Sequence, residues 1–103
     1  MNNITKTIQV PKTIFNTDMI HEGDECLCLY NIGWNGYGND DKTYNVAECK
    51  VEYVCDEYII LNDIDNLYSA RRIEVEDIEE GYYELEFDKS KFEEIINNAM
   101  LVE

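Results

Sequence analysis

Residues 43–61 read TYNVAECKVEYVCDEYIIL, and their polarity alternates with a period of two. Ala47, Cys49, Val51, Tyr53 and Cys55 fall on one face, and Glu48, Lys50 and Glu52 on the other. That pattern specifies a half-buried strand, because a helix would gather every third or fourth residue instead. Asp56 and Glu57 interrupt the alternation before YIIL resumes an apolar run. The stretch therefore reads as a β-hairpin.

The same period extends outward in both directions. Toward the C-terminus, NDIDN (62–66) is a turn, and SARRIEV (69–75) is a strand with Ile73 and Val75 inward. EDIEEG (76–81) fits one turn of 3₁₀ helix. YYELEF (82–87) then places Tyr83, Leu85 and Phe87 on the core face and Tyr82, Glu84 and Glu86 outward. In DKSKFEEIINNAM (88–100) the period switches to that of a helix: Phe92, Ile95, Ile96, Ala99 and Met100 share a face, and Ser90 with Glu93 has the form of a capping box. Toward the N-terminus, ECLCLYNI (25–32) is apolar on both faces, as in a strand covered on both sides. A glycine-rich loop, GWNGYGNDDK (33–42), follows it. ITKTIQV (4–10) opens the chain as a strand that Pro11 closes, and KTIFNTDMIHEGD (12–24) reads as an irregular connection whose Ile14, Phe15, Met19 and Ile20 cover one end of a core.

These elements predict a mainly β (α+β) fold: a small antiparallel barrel or bent sheet of five or six strands with one C-terminal helix. The 103 residues match one domain, with an N-terminal strand and connection at 1–22, a barrel-like core at 23–87 and the helix at 88–100. From EGDECLCLY through the long loop, VAECKVEYVCDEYIIL and RRIEVEDIEEG, the order of elements resembles that of SH3-like barrels. The resemblance spans residues 23–87 and implies the fold alone.

Charge sets this chain apart from an ordinary small domain. It holds 23 Asp and Glu against 8 Lys and Arg, a formal net charge of −15. Apolar residues make up 45%, too many for a disordered acidic tail, so the charge belongs on the outside of a packed core. A compact domain of this length is about 33 Å across, a span over which duplex DNA carries about 20 charges. Such a field repels nucleic acid and anionic membranes and steers basic surfaces toward the protein. Direct nucleic-acid and membrane binding are thereby disfavoured. The opening MNNITKTIQV lacks a signal-peptide core and no run is long enough to span a bilayer, which predicts a cytoplasmic protein with reduced thiols.

No catalytic or cofactor signature emerges. Cys26 and Cys28 lie two apart on a strand, with side chains about 6.6 Å apart, whereas zinc sites take closely set sulfurs from turns. CLC and CKVEYVC match no standard zinc spacing. His21 stands without a nucleophile and orienting partner, GWNGYG is followed by no helix pattern, and NDIDN lacks the ligand positions of a calcium loop. The expectation is a protein that is not an enzyme and uses no cofactor or metal.

What remains is surface chemistry. Residues 74–88, EVEDIEEGYYELEFD, contain eight carboxylates and no basic residue. Glu76, Asp77, Glu79 and Glu80 in the turn, with Glu84 and Glu86 on the strand, form a row spaced like phosphates. Trp34 and Tyr37 in the glycine-rich loop are candidate apolar anchors for a partner, the alternative being that Trp34 folds back over an open end of the barrel. In size and composition the chain resembles the small acidic inhibitors of phages and mobile elements, the anti-restriction and anti-CRISPR proteins, several of which imitate DNA. That resemblance implies a non-enzymatic inhibitor whose partner is a basic, nucleic-acid-binding defence nuclease, engaged through these eight residues. The competing expectation is a small SH3-like adaptor that binds through its aromatic loop.

Overall fold

The structure is a computed structural model that describes residues 4–8, 12–34 and 42–99, with backbone alone for Trp34, Lys42 and Leu67. Its strands are β1 (Thr5–Ile8), β2 (Lys12–Phe15), β3 (Glu25–Trp34), β4 (Lys42–Val54), β5 (Tyr58–Asp63), β6 (Asn66–Glu74) and β7 (Tyr83–Glu86). A short helix α1 (Val75–Glu79) joins β6 to β7, and a 3₁₀ turn (Lys89–Lys91) leads into α2 (Phe92–Asn98). β1 and β2 form a hairpin, and the other five strands form one antiparallel sheet in the order β6-β5-β4-β3-β7. Among the described residues no closed barrel is found: β6 and β7 are the two edges.

The fold departs from the sequence reading in several places. Lys12–Phe15 is a strand and not an irregular connection, held by partners that local periodicity cannot reveal: the Phe15 amide donates to the Asp56 carbonyl at 2.9 Å, and the Asn16 amide to the Ile4 carbonyl at 2.7 Å. Of the residues expected to cap the core there, Ile14, Phe15 and Ile20 are buried but Met19 is exposed. The segment after β6 is a turn of α-helix, and Asp88 caps the C-terminal helical segment by accepting the Ser90 amide at 3.0 Å and its hydroxyl at 2.7 Å. Ser90 lies inside the 3₁₀ turn and is no cap.

A further departure is a bulge in β4. Its register with β5 runs Val51↔Leu61 and then Tyr53↔Ile60, so one residue is inserted at Glu52. A bulge of one residue reverses the alternation beyond it. Val54 therefore turns toward the core and Tyr53 turns outward, 44% exposed, opposite to the strict pattern.

The core lies on one face of the sheet. Cys26 and Cys28 of β3, Cys49 and Val51 of β4, Ile59 and Leu61 of β5, Ile73 of β6 and Leu85 of β7 pack there with Ile4, Phe15, Ile20 and Val75. Leu27 and Leu29 of β3 point to the opposite face and are buried as well. α2 lies on that side, where the Tyr44 hydroxyl donates to the Ile95 carbonyl at 2.8 Å and Lys89 Nζ to Glu25 at 3.3 Å. Gly23 makes the turn into β3 with φ +93°, a conformation that costs a side-chain-bearing residue strain.

Leu61→Ala, at a fully buried position, should cost about 2–5 kcal/mol in urea unfolding. Tyr68→Ala, at a fully exposed one, should change stability by less than about 0.5 kcal/mol.

Candidate interaction surface

The cysteines are packing residues here. Cys26 and Cys49 face each other across the β3–β4 ladder, Cys28 lies on the same face, and all three are buried, while Cys55 is half-buried. Among the described residues no group of three or more His, Cys, Asp or Glu could hold a metal ion. Burial pushes the Cys28 and Cys49 thiols up from 9.0 to about 12, and the Cys26 thiol is raised in the same way. His21 sits on the surface, where its amide donates to Asp24 Oδ2 at 2.9 Å and closes a turn.

The six carboxylates expected to form one row separate into two groups. α1 and its C-cap residue present Glu76, Glu79 and Glu80 to solvent, whereas Asp77 is half-buried and accepts the Glu74 amide at 2.9 Å at the start of the helix. On β7, Glu84 lies opposite Leu29 and Glu86 opposite Leu27, on the sheet face where α2 lies. Glu84 is half-buried, and Glu86, expected outward, is 8% exposed and accepts the Asp88 amide at 3.1 Å. Alternation distinguishes core face from opposite face, but it does not reveal that a later segment covers the opposite face. Trp34 ends β3 opposite Lys42 with its side chain outside the description, and Tyr37 lies outside the described residues.

The exposed acids of α1 join others from distant parts of the chain. Glu76 and Glu79 line a cleft of about 370 Å³ with Asp56 and Glu57 of the β4–β5 turn and with Arg72 and Glu74 of β6. Lys12 of β2 also borders it, 3.7 Å from Glu57, and Arg72 lies 3.3 Å from Glu74. The cleft thus carries five carboxylates and two cations. The hairpin turn and α1 meet because the Val75 amide donates to the Glu57 carbonyl at 3.4 Å. Beside the cleft, Tyr53 and Tyr58 stack at a tilt of 41° with ring centroids 5.7 Å apart, and the Arg72 guanidinium lies 3.9 Å from the Tyr58 centroid. Sequence reading missed these tyrosines, since strict alternation sends Tyr53 into the core.

A second cleft, of about 450 Å³, has a structural cation at its base. Arg71 grips Asp63 through Nε at 3.1 Å and Nη2 at 3.3 Å and lies 4.5 Å from the Tyr30 ring centroid. Its charge is consumed by that bidentate pair, which the Cys49 thiol also reaches at 3.4 Å.

The thiol shifts have a measurable consequence. Unfolded cysteines titrate near 9.0 while the folded Cys28 and Cys49 keep their protons to about 12, so the unfolded state loses protons first. Stability should therefore fall as pH rises from about 9 to 12, by at most about 1.4 kcal/mol per pH unit for each thiol. Cys49→Ala should flatten that slope in denaturant titrations, and an unchanged slope would refute the assignment. Neither a protein-family model nor a curated protein nor a solved structure matches this chain.

Proposed function

We propose that this protein is a non-enzymatic inhibitor that occupies the basic, nucleic-acid-binding surface of another protein, of the kind found in host defence nucleases, and blocks it by charge mimicry. The observation that carries this reading is the acidic cluster on rigid elements. Glu76 and Glu79 on α1 and Glu80 at its C-terminal cap are exposed and make no ion pair among the described residues. Asp56, Glu57 and Glu74 stand beside the first two across the cleft.

Magnitudes favour a role as a partner of cationic surfaces. The protein measures 42 × 32 × 24 Å, and duplex DNA of its longest dimension carries about 25 charges. A formal charge of −15 on this body is of that order. Self-repulsion of so many carboxylates costs stability, and a cationic partner removes that cost on binding. Charge of this kind governs encounter rate and salt sensitivity.

The binding residues in this proposal are Glu76, Glu79 and Glu80, with Asp77 and Glu84 in supporting positions. The burial of Glu86 argues against its direct contact. A second reading, an SH3-like accessory module, draws on the order of elements: a strand, a long connection, two successive hairpin links, a helical turn, and a last strand that returns beside the first, β3. In that reading Trp34 and Tyr37 carry binding and the acids do not.

The triple variant Glu76→Lys, Glu79→Lys, Glu80→Lys separates the two. It should keep its circular dichroism spectrum and lose at least about tenfold in affinity for a salt-released, nucleic-acid-cleaving enzyme captured from host lysate. Wild-type protein should inhibit cleavage by that enzyme and the variant should not. Undiminished partner capture by the variant, its loss in Trp34→Ala and no inhibition by wild-type protein would leave the accessory-module reading in place of mimicry.

A further inference from the structure

We infer that the anchor for a basic partner is the outward tyrosine face of β4, β5 and β6, and that it takes an arginine side chain from a segment lying along the neighbouring acidic cleft. This rests on the proposed reading that the partner is basic. It replaces the loop aromatics as anchor with residues whose placement the fold explains.

The bulge in β4 creates this face. Beyond it, Tyr53, Ile60 and Arg72 stand in direct register across three strands, and Tyr58 with Glu74 forms the next row. Ile60 and Tyr58 are half-buried, and Tyr53 is 44% exposed. Tyrosine is a favoured interface residue because its ring offers contact area at little conformational cost.

The chain shows which side chain this chemistry accepts. Its own Arg72 guanidinium lies 3.9 Å from the Tyr58 centroid while Nε meets Glu74 Oε1 at 3.3 Å, an aromatic face and a carboxylate serving one guanidinium. Tyr53 offers a second ring alongside, tilted 41° to the first. Continuity comes from Arg72 and Glu74, which belong both to this face and to the wall of the cleft. With five carboxylates against two cations, the cleft complements a segment bearing positive charge. Arginine suits the site better than lysine, because its planar and weakly hydrated guanidinium stacks on an aromatic ring while still meeting a carboxylate.

Titrating isotopically labelled full-length protein with hexa-arginine and with hexa-lysine at low salt, followed by NMR, tests the inference. Amide shifts should concentrate at residues 53–60 and 72–79, and hexa-arginine should bind about two- to fivefold more tightly than hexa-lysine. Tyr53→Ala should abolish that preference, whereas Tyr53→Phe, which keeps the ring, should retain it. Equal binding of the two peptides, or shifts spread over the whole acidic surface, would overturn the anchor while leaving charge attraction intact. Absence of binding by either peptide would overturn the anchor and the basic-partner reading together.

Discussion

The β3–β4 ladder is the constraint on which the other elements depend. Its pairs from Glu25↔Lys50 to Tyr30↔Asn45 align Cys26 and Cys28 with Cys49 and Ala47 on the core face. β5 then attaches to the free side of β4, and β7 to the free side of β3. A slip of one residue would send the buried thiols outward and bring Glu48 inward, so one buried face specifies the register strongly. Leu27 and Leu29 add a second demand, since the opposite face of β3 must also be covered. The 3₁₀ turn and α2 are the segments on that side, and the cost of leaving two leucines in water gives their docking a driving force of about 1.5–3 kcal/mol each.

A single inserted residue decides where the surface chemistry lies. Without the bulge at Glu52, Tyr53 would enter the core and Val54 would face water. With it, an aliphatic side chain packs inward and an aromatic ring is placed beside the acids of the β4–β5 turn and α1. Bulges cost a ladder hydrogen bond and persist where the redirected side chain or the added twist compensates. Here the compensation within the fold is the burial of Val54, and the redirected Tyr53 meets Tyr58 in a tilted ring contact.

The strands from β3 to β7 were legible in the sequence because β4 and β7 alternate with a period of two, while β3 and β5 are short apolar runs bounded by turns. The helical switch near Phe92 was legible for the corresponding reason. Features held by distant partners were not legible. β2 depends on Asp56, the inward turn of Val54 depends on its register with β5, and the burial of Glu86 depends on the covering of its sheet face. The site divides in the same way. The exposure of Glu76, Glu79 and Glu80 follows from their position in a short polar turn, whereas the addition of Asp56, Glu57 and the tyrosine pair required knowing which strands are neighbours.

Net charge overstates what a partner can meet. Asp63 is clamped by Arg71, Asp77 holds the start of α1, Glu86 accepts the Asp88 amide, and Asp88 itself caps the C-terminal helical segment. The two hydrogen bonds from Ser90 hold the Asp88 carboxyl below the usual carboxylate range, as expected of a group whose charge is used by the fold. Asp88 stabilises the native state in its ionised form, and that contribution disappears as pH falls through its lowered folded pKa. Glu76, Glu79 and Glu80 make no ion pair among the described residues, and they add repulsion. In the proposed reading these repulsive charges, kept together beside two aromatic rings, serve a cationic partner, whereas a solubilising coat would need no such concentration. That concentration, more than the total of −15, is the physical reason to look for a cationic partner.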